Sequence, residues 1–166
     1  MTAVEQSSAQ VSPSEFRQAM DHFATGVTVV TSVGDYGQPV GATTSAVASL
    51  SLDPPLVLVC FDRESSILRA IRAHGAFVVN VLAARQRHLS ANVARRSPAW
   101  DGVPYRPGPT GSPRLDGALA AVECTVENRL PGGRHEIVVG RVRQVGVSAG
   151  SAAPLVRWRG SYLALG

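Results

Sequence analysis

Apolar residues first recur at a helical interval: Phe16, Ala19, Met20 and Phe23 stand at i, i+3, i+4 and i+7. Ser12-Pro13-Ser14-Glu15 precedes them and reads as a capping box with proline at the first helical position. A short amphipathic helix is expected there, behind a flexible tail of small and polar residues over 1–11. From Thr25 the texture turns β-branched. Thr25–Val33 and Val40–Leu50 flank a Gly34-Asp35-Tyr36-Gly37 turn and predict a hairpin. Asp53-Pro54-Pro55 stops that run, and the unbroken apolar stretch Leu56–Phe61 predicts a strand covered on both faces.

Helical spacing returns at Ile67, Leu68 and Ile71, so Ser65–His74 is expected to be a helix closed by Gly75. Ala76–Leu82 reads as a buried strand and Ala84–Arg96 as a helix. Ser97–Arg114, rich in Pro and Gly, reads as a long connection with a functional or interfacial role. Leu119–Leu130 and His135–Val147 then predict a long hairpin turning at Pro131-Gly132-Gly133-Arg134, with Ala120, Val122, Cys124 and Val126 on one face. Leu155-Val156 and Trp158–Leu165 close the chain. Six or more strands, few helices and no regular β-α alternation predict a mainly β fold, a closed or half-open barrel, formed by residues 12–166 as one domain.

Composition narrows the chemistry. All 16 basic residues of this 166-residue chain are arginine. Without lysine there is no Schiff-base nucleophile, no pyridoxal-phosphate anchor and no P-loop lysine. Charged residues make up only 17% of the chain against 45% apolar, which suggests that part of the surface is buried in an oligomer. Cys60 and Cys124 sit in apolar runs and are expected to be buried free thiols. The segment before Arg17 lacks the basic and apolar regions of a signal peptide, and the longest apolar stretch, Ala76–Ala84, is broken by Asn80 and too short to span a bilayer. A cytoplasmic protein with no membrane contact is expected.

No His-Glu-x-x-His, Cys-x-x-Cys or Gly-x-Gly-x-x-Gly motif is present, and the four histidines lack ligand spacing, so no metal site is expected. A reactive group, if there is one, comes from a cofactor. Two stretches could hold an anionic one. Gly41-Ala42-Thr43-Thr44-Ser45 offers small hydroxyl residues and close backbone approach, and Asp62-Arg63-Glu64-Ser65-Ser66 places free amides and Arg63 at a helix start. An ordinary strand surface and an ordinary N-cap would read the same way. Six arginines between 85 and 114 face one acid, Asp101; they could form an anion-binding rim or a solvated helix face. Only Trp100 and Tyr105 are interleaved with them, too few aromatic side chains for a nucleic-acid surface.

The ordered segments Phe16–Met20, Phe23–Thr31, Gly41–Ser45, Ser49–Val59, Phe77–Leu82, Gly133-Arg134-His135, Gly140-Arg141-Val142, Pro154–Val156 and Arg159–Tyr162 together resemble the flavin reductase family with the FMN-binding split-barrel fold. The resemblance implies a homodimeric Greek-key barrel that binds FMN or FAD, takes hydride from NADH or NADPH, and hands reduced flavin to a separate flavin-dependent monooxygenase. By position it implies that Thr43, Thr44 and Ser45, with Ser49 nearby, lie along the isoalloxazine edge, and that Asp62, Arg63, Ser65 and Ser66 wrap the flavin phosphate. His135 matches a catalytic, cofactor-contacting histidine that approaches the nicotinamide nucleotide, and Arg159, Gly160 and Tyr162 line the same site. One departure reverses a charge: Arg134 stands where the family usually has Asp, either contacting a nucleotide phosphate or occupying the turn. A flavin-binding or flavin-sensing protein without a nicotinamide site is the alternative on this fold.

Overall fold

Ser12 caps the first helix as its sequence implies: its hydroxyl accepts the Glu15 N–H, and the Glu15 carboxylate accepts the Ser12 N–H. The structure, a computed structural model, describes residues 10–95 and 98–164; residues 1–9 of the expected tail, and Arg96 and Leu165 at the ends of expected elements, lie outside them. In chain order the elements are α1 (Pro13–Met20), β1 (Thr25–Gly26), β2 (Thr28–Val33), β3 (Pro39–Thr44), β4 (Val47–Leu52), β5 (Pro55–Asp62), α2 (Ser66–His74), β6 (Ala76–Val81), a 3₁₀ turn (Ala84–Gln86), α3 (Arg87–Val93), β7 (Tyr105–Pro107), β8 (Pro113–Leu115), β9 (Ala120–Gly132), β10 (His135–Val147), β11 (Leu155–Trp158) and β12 (Ser161–Ala164).

Seven strands form one antiparallel sheet in the order β3-β2-β6-β9-β10-β5-β4. β3 and β4, the two edges, are consecutive in the chain and joined only by Ser45-Ala46, so the sheet must curl until its edges meet. The core confirms the curl: Val30 of β2 and Val59 and Phe61 of β5, far apart in strand order, share one cluster with Ile67, Leu68 and Ile71 of α2, which plugs the barrel. A second cluster lies outside the barrel wall, where Val27, Val29 and Leu82 pack against Leu89 and Val93 of α3, Leu115 of β8 and Leu155 of β11. β2 is therefore buried on both faces, Val30 inward and Val29 outward. β11 and β12 form a three-stranded sheet with β1.

Several expectations are refined. The run read as Val40–Leu50 is two strands, because the chain crosses from one sheet edge to the other at Ser45-Ala46. Where a helix is expected from Ala84, a 3₁₀ turn over Ala84–Gln86 is followed by a two-turn helix over Arg87–Val93. The long connection contains the β7–β8 hairpin, with Pro113 and Leu115 buried. Three side chains fasten it to the barrel wall: Glu123 accepts the Thr110 N–H at 2.6 Å, Asn80 Oδ1 accepts the Leu115 N–H at 2.9 Å, and the Thr31 hydroxyl donates to the Pro113 carbonyl. Glu123 is thus a buried acid on the β9 face opposite Val122, Cys124 and Val126. Cys124 is buried as expected, whereas Cys60 is half-exposed because the outer face of β5 borders a cavity. The apolar side of α1 is also uncovered: no α1 residue is buried, and Phe16 and Phe23 stay open to solvent. Among the described residues no helix is long and apolar enough to cross a membrane.

Candidate functional site

The ends of β3 and β5 and the starts of β4 and β10 lie along one rim of the barrel, because β5 pairs antiparallel with both β4 and β10. The Cys60 N–H donates to the Ala46 carbonyl at 3.0 Å, and Asp62 faces His135 in register. At the usual strand rise, Asp62 is about 7 Å beyond Cys60, so the 43–45 and 62–66 segments are neighbours on this rim.

Two cavities adjoin there. A cleft of about 470 Å³ has Leu58 and Cys60 as its floor, with Met20, Phe23 and Trp158 among its walls. Arg17, Arg157 and Arg159 border it against one carboxylate, Asp21, which biases it toward an anion. A slot of about 210 Å³ is lined by Val27, Thr43, Thr44, Ser45, Arg157 and Tyr162. Ser45 and Arg157 border both.

The slot's two threonine hydroxyls are held by bonds of definite direction. Thr43 Oγ1 donates to the Ser90 carbonyl at 2.8 Å, and Thr44 Oγ1 accepts the Ala46 N–H at 3.0 Å. Tyr162 Oη lies 2.8 Å from Ser90 Oγ, and the Arg87 guanidinium sits 5.3 Å from the Tyr162 ring centre. α3 supplies Ser90 and Arg87, and burial of Leu89 and Val93 in the outer cluster fixes that helix.

Arg159 and Gly160 make the two-residue β11–β12 turn with φ of 49° and 76°, the left-handed pair a tight hairpin needs. The Arg159 N–H donates to the Asp21 carbonyl at 2.9 Å, and its guanidinium meets His22 Nε2 at 3.0 Å. A guanidinium can only donate, so His22 Nε2 accepts, and the ring's proton lies on Nδ1, 2.9 Å from the Gln18 carbonyl. This joins the two walls of the cleft, α1 and the β11–β12 turn.

Around Asp62 the turn satisfies itself. Asp62 Oδ1 accepts the Glu64 N–H, while the Ser65 hydroxyl donates to the Asp62 carbonyl at 2.7 Å and accepts the Leu68 N–H as the N-cap of α2. Ser66 and Arg63 remain exposed at the helix start. Arg63 is tied to the β9–β10 turn: its N–H donates to the Arg134 carbonyl at 3.1 Å and its Nε to the His135 carbonyl at 3.3 Å. Arg134 occupies the turn beside Gly133, with its side chain exposed. The His135 imidazole is exposed and borders neither cavity. Behind it, a cavity of about 600 Å³ is bordered by Arg63, Arg72, Arg129 and Glu136. Arg72 donates to both Glu136 oxygens, and this bonding holds the Glu136 carboxyl below the usual carboxylate range, helped by the charge of Arg129 and Arg63.

Thr43, Thr44, Ser45 and Tyr162 thus meet in one slot, Arg159 and Gly160 close the adjoining cleft, and Asp62, Arg63, Ser65, Ser66 and His135 form a second group along the rim. Ser49 is exposed on β4 opposite Val57 and borders neither cavity. Two site residues were not singled out in the sequence, Arg157 and Ser90, whereas Arg87 is one of the six arginines between 85 and 114 read there as a possible anion-binding rim. Arg157 had a signal, since a turn centred on Arg159-Gly160 sets residue 157 across from Tyr162; α3's docking had none. Of the two thiols, burial, helped by the charge of Glu123, pushes Cys124 up to about 12, which keeps it protonated at neutral pH.

Comparison with known proteins places these features in context. A family profile described as "Flavin reductase like domain" matches residues 20–166. The flavin-dependent monooxygenase reductase subunit HsaB of Mycobacterium tuberculosis is 42% identical over 157 residues, covering 93% of this chain and 83% of that protein. The NADH-dependent FMN reductase AsuE2 of Streptomyces nodosus subsp. asukaensis is 40% identical over 156 residues, covering 91% and 84%. The solved structure of the Streptomyces globisporus NADH:FAD oxidoreductase SgcE6 in complex with NAD and FAD fragments superposes with a TM-score of 0.86 at 31% identity, covering 95% of this chain and 96% of that one.

Proposed function

The chain belongs to the flavin reductase family, and from that premise we propose that it is an NAD(P)H:flavin oxidoreductase, the reductase component of a two-component flavin-dependent monooxygenase. The observation that carries this reading is the junction at Ser45 and Arg157 of a hydroxyl-lined slot with an apolar cleft rich in guanidinium groups. FMN and FAD combine a flat, largely apolar ring, a polar carbonyl edge and anionic phosphate, and the donors present fit each part. Bound flavin supplies the acceptor for the hydride that NADH or NADPH donates.

The chain's own residues bind and orient. Thr43, Thr44, Ser45 and Tyr162 would hold the polar edge of a bound ring, and Arg157 would supply positive charge beside it. Leu58, Met20, Phe23 and Trp158 exclude water from the ring face. Arg63 and Ser66, with the start of α2 that Asp62 and Ser65 shape, attract the phosphate. His135 serves the nicotinamide nucleotide, and Arg159 and Gly160 keep the cleft's walls together. This assignment needs no acid–base dyad, because hydride transfer asks for alignment of two rings and stabilisation of charge.

Residues 12–166 work as one functional domain, and two copies pair. The uncovered apolar side of α1 and the exposed Leu50 and Leu52 of β4 are the surfaces a second copy would cover. The deciding assay follows NADH and NADPH oxidation with and without added FMN or FAD, then adds a flavin-dependent monooxygenase and its substrate. Turnover that requires free flavin and drives the oxygenation supports the assignment. Flavin binding without nicotinamide oxidation would leave the flavin-binding alternative.

A further inference from the structure

Ser90 and Tyr162 share one hydrogen bond between two hydroxyls, and burial decides which of them donates. Ser90 is fully buried in α3, and its Oγ has no partner but Tyr162 Oη among the described residues. Were Tyr162 the donor, the Ser90 proton would be left unpaired in the interior, a cost that a half-exposed phenol avoids by turning its own proton into the slot. Ser90 therefore donates, and Tyr162 keeps its O–H as a donor toward the slot.

The same residue fixes the opposite polarity on the facing wall. The Ser90 carbonyl can only accept, so the Thr43 hydroxyl spends its proton on it and offers the slot only lone pairs. The slot thus presents a donor, Tyr162, together with an acceptor, Thr43, and both are set by one buried serine that itself borders neither the slot nor the cleft.

We infer that Ser90 is a positioning residue that gives this slot a donor–acceptor pair matched to an amide group, a carbonyl beside an N–H. This deepens the flavin reductase reading and rests on it. Two sources in the reaction carry that chemistry: the pyrimidine edge of the flavin and the carboxamide of the nicotinamide.

Three variants test it, Ser90→Ala, Tyr162→Phe and the double substitution, with Ser90→Thr as the conservative control. Affinity for oxidised flavin is read by fluorescence titration without nicotinamide, and KM for NADH is read at saturating flavin. Loss of one oriented hydrogen bond is expected to weaken one of these by about fivefold to tenfold in Ser90→Ala, equally in Tyr162→Phe, and no further in the double variant. Ser90→Thr, which keeps the hydroxyl, should recover most of the loss. A change confined to flavin affinity assigns the flavin edge, and one confined to KM assigns the carboxamide. Wild-type values in Ser90→Ala, or losses that add in the double variant, overturn the inference. If Ser90→Ala does not fold, Tyr162→Phe at its half-exposed position carries the test, and wild-type binding in that variant overturns it as well. A wild-type chain that binds no flavin refutes the underlying functional reading instead.

Discussion

Arg157 stands directly across from Tyr162 on β12 and from Thr25 on β1, so its side chain shares a sheet face with both and borders both cavities. Among the described residues no carboxylate pairs with it. A guanidinium left free between a hydroxyl slot and an apolar cleft is available to an anionic ligand. Arg157→Gln is expected to weaken flavin binding by about threefold to tenfold in about 0.02 M salt and by much less in about 1 M salt, where the Debye length shrinks to about 3 Å. Titration of oxidised flavin at the two salt levels checks this. An equal effect at both would assign the residue to packing, not charge.

His135→Ala separates the two cofactors. The imidazole is exposed and makes no hydrogen bond among the described residues, so the substitution should change stability by no more than about 0.5 kcal/mol. KM for NADH is expected to rise by about tenfold, the scale of one lost contact worth about 1.4 kcal/mol, while flavin affinity stays close to wild type. Steady-state kinetics beside a flavin titration gives the comparison. Unchanged NADH use would make His135 an ordinary strand residue.

Parts of this architecture were readable from sequence because local chemistry decided them. Ser65 and Gly75 bracket α2 as N-cap and left-handed C-cap, and the two-residue turn at Gly133-Arg134 follows from its glycine. What escaped depends on distant partners. No glycine or proline marks Ser45-Ala46 as a crossing, since the break arises where the chain passes between sheet edges. Glu123 lies in an alternating strand and would be expected on the solvent side; it is buried because the β7–β8 connection, 13 residues away at Thr110, folds back onto it. Ser90 belongs to the site only through α3's docking against β2 and β3, which brings it to Thr43 and Tyr162. The rim was legible as composition, and its hydrogen-bond polarity emerged only with the fold.

Acid should weaken the junction of α2 with the β9–β10 hairpin. Glu136 is held below the usual carboxylate range by its bonds to Arg72, and Glu127 likewise by Arg141. A carboxyl depressed in the folded state stabilises it fully above the unfolded value, about 4.3 for Glu, and loses that contribution as pH falls through the lower folded value. Urea midpoints of wild type and Glu136→Gln should therefore differ by a constant amount above about pH 5.5 and converge below about pH 4. A difference that persists unchanged to about pH 3 would show that the Arg72 pairing contributes nothing to the pH dependence.

Gly140 tests how tightly the barrel wall is packed. In β10 it lies against the core, where an added Cβ would overlap Phe77 Cζ and come 2.9 Å from the Cys124 Cβ. Both neighbours are fully buried, Phe77 is wedged among α2 and the strands, and neither can yield without disturbing the inner cluster. Overpacking of this kind costs about 1–3 kcal/mol, and at this chain length each kcal/mol lowers Tm by about 2–4 °C. Gly26→Ala, where nothing lies within 4 Å of the added carbon, provides the matched control and should leave Tm within about 2 °C. Calorimetry of the two variants compares them directly. If Gly140→Ala melts with the control, the wall has slack at Phe77, and the glycine is there for strand geometry and not for close packing.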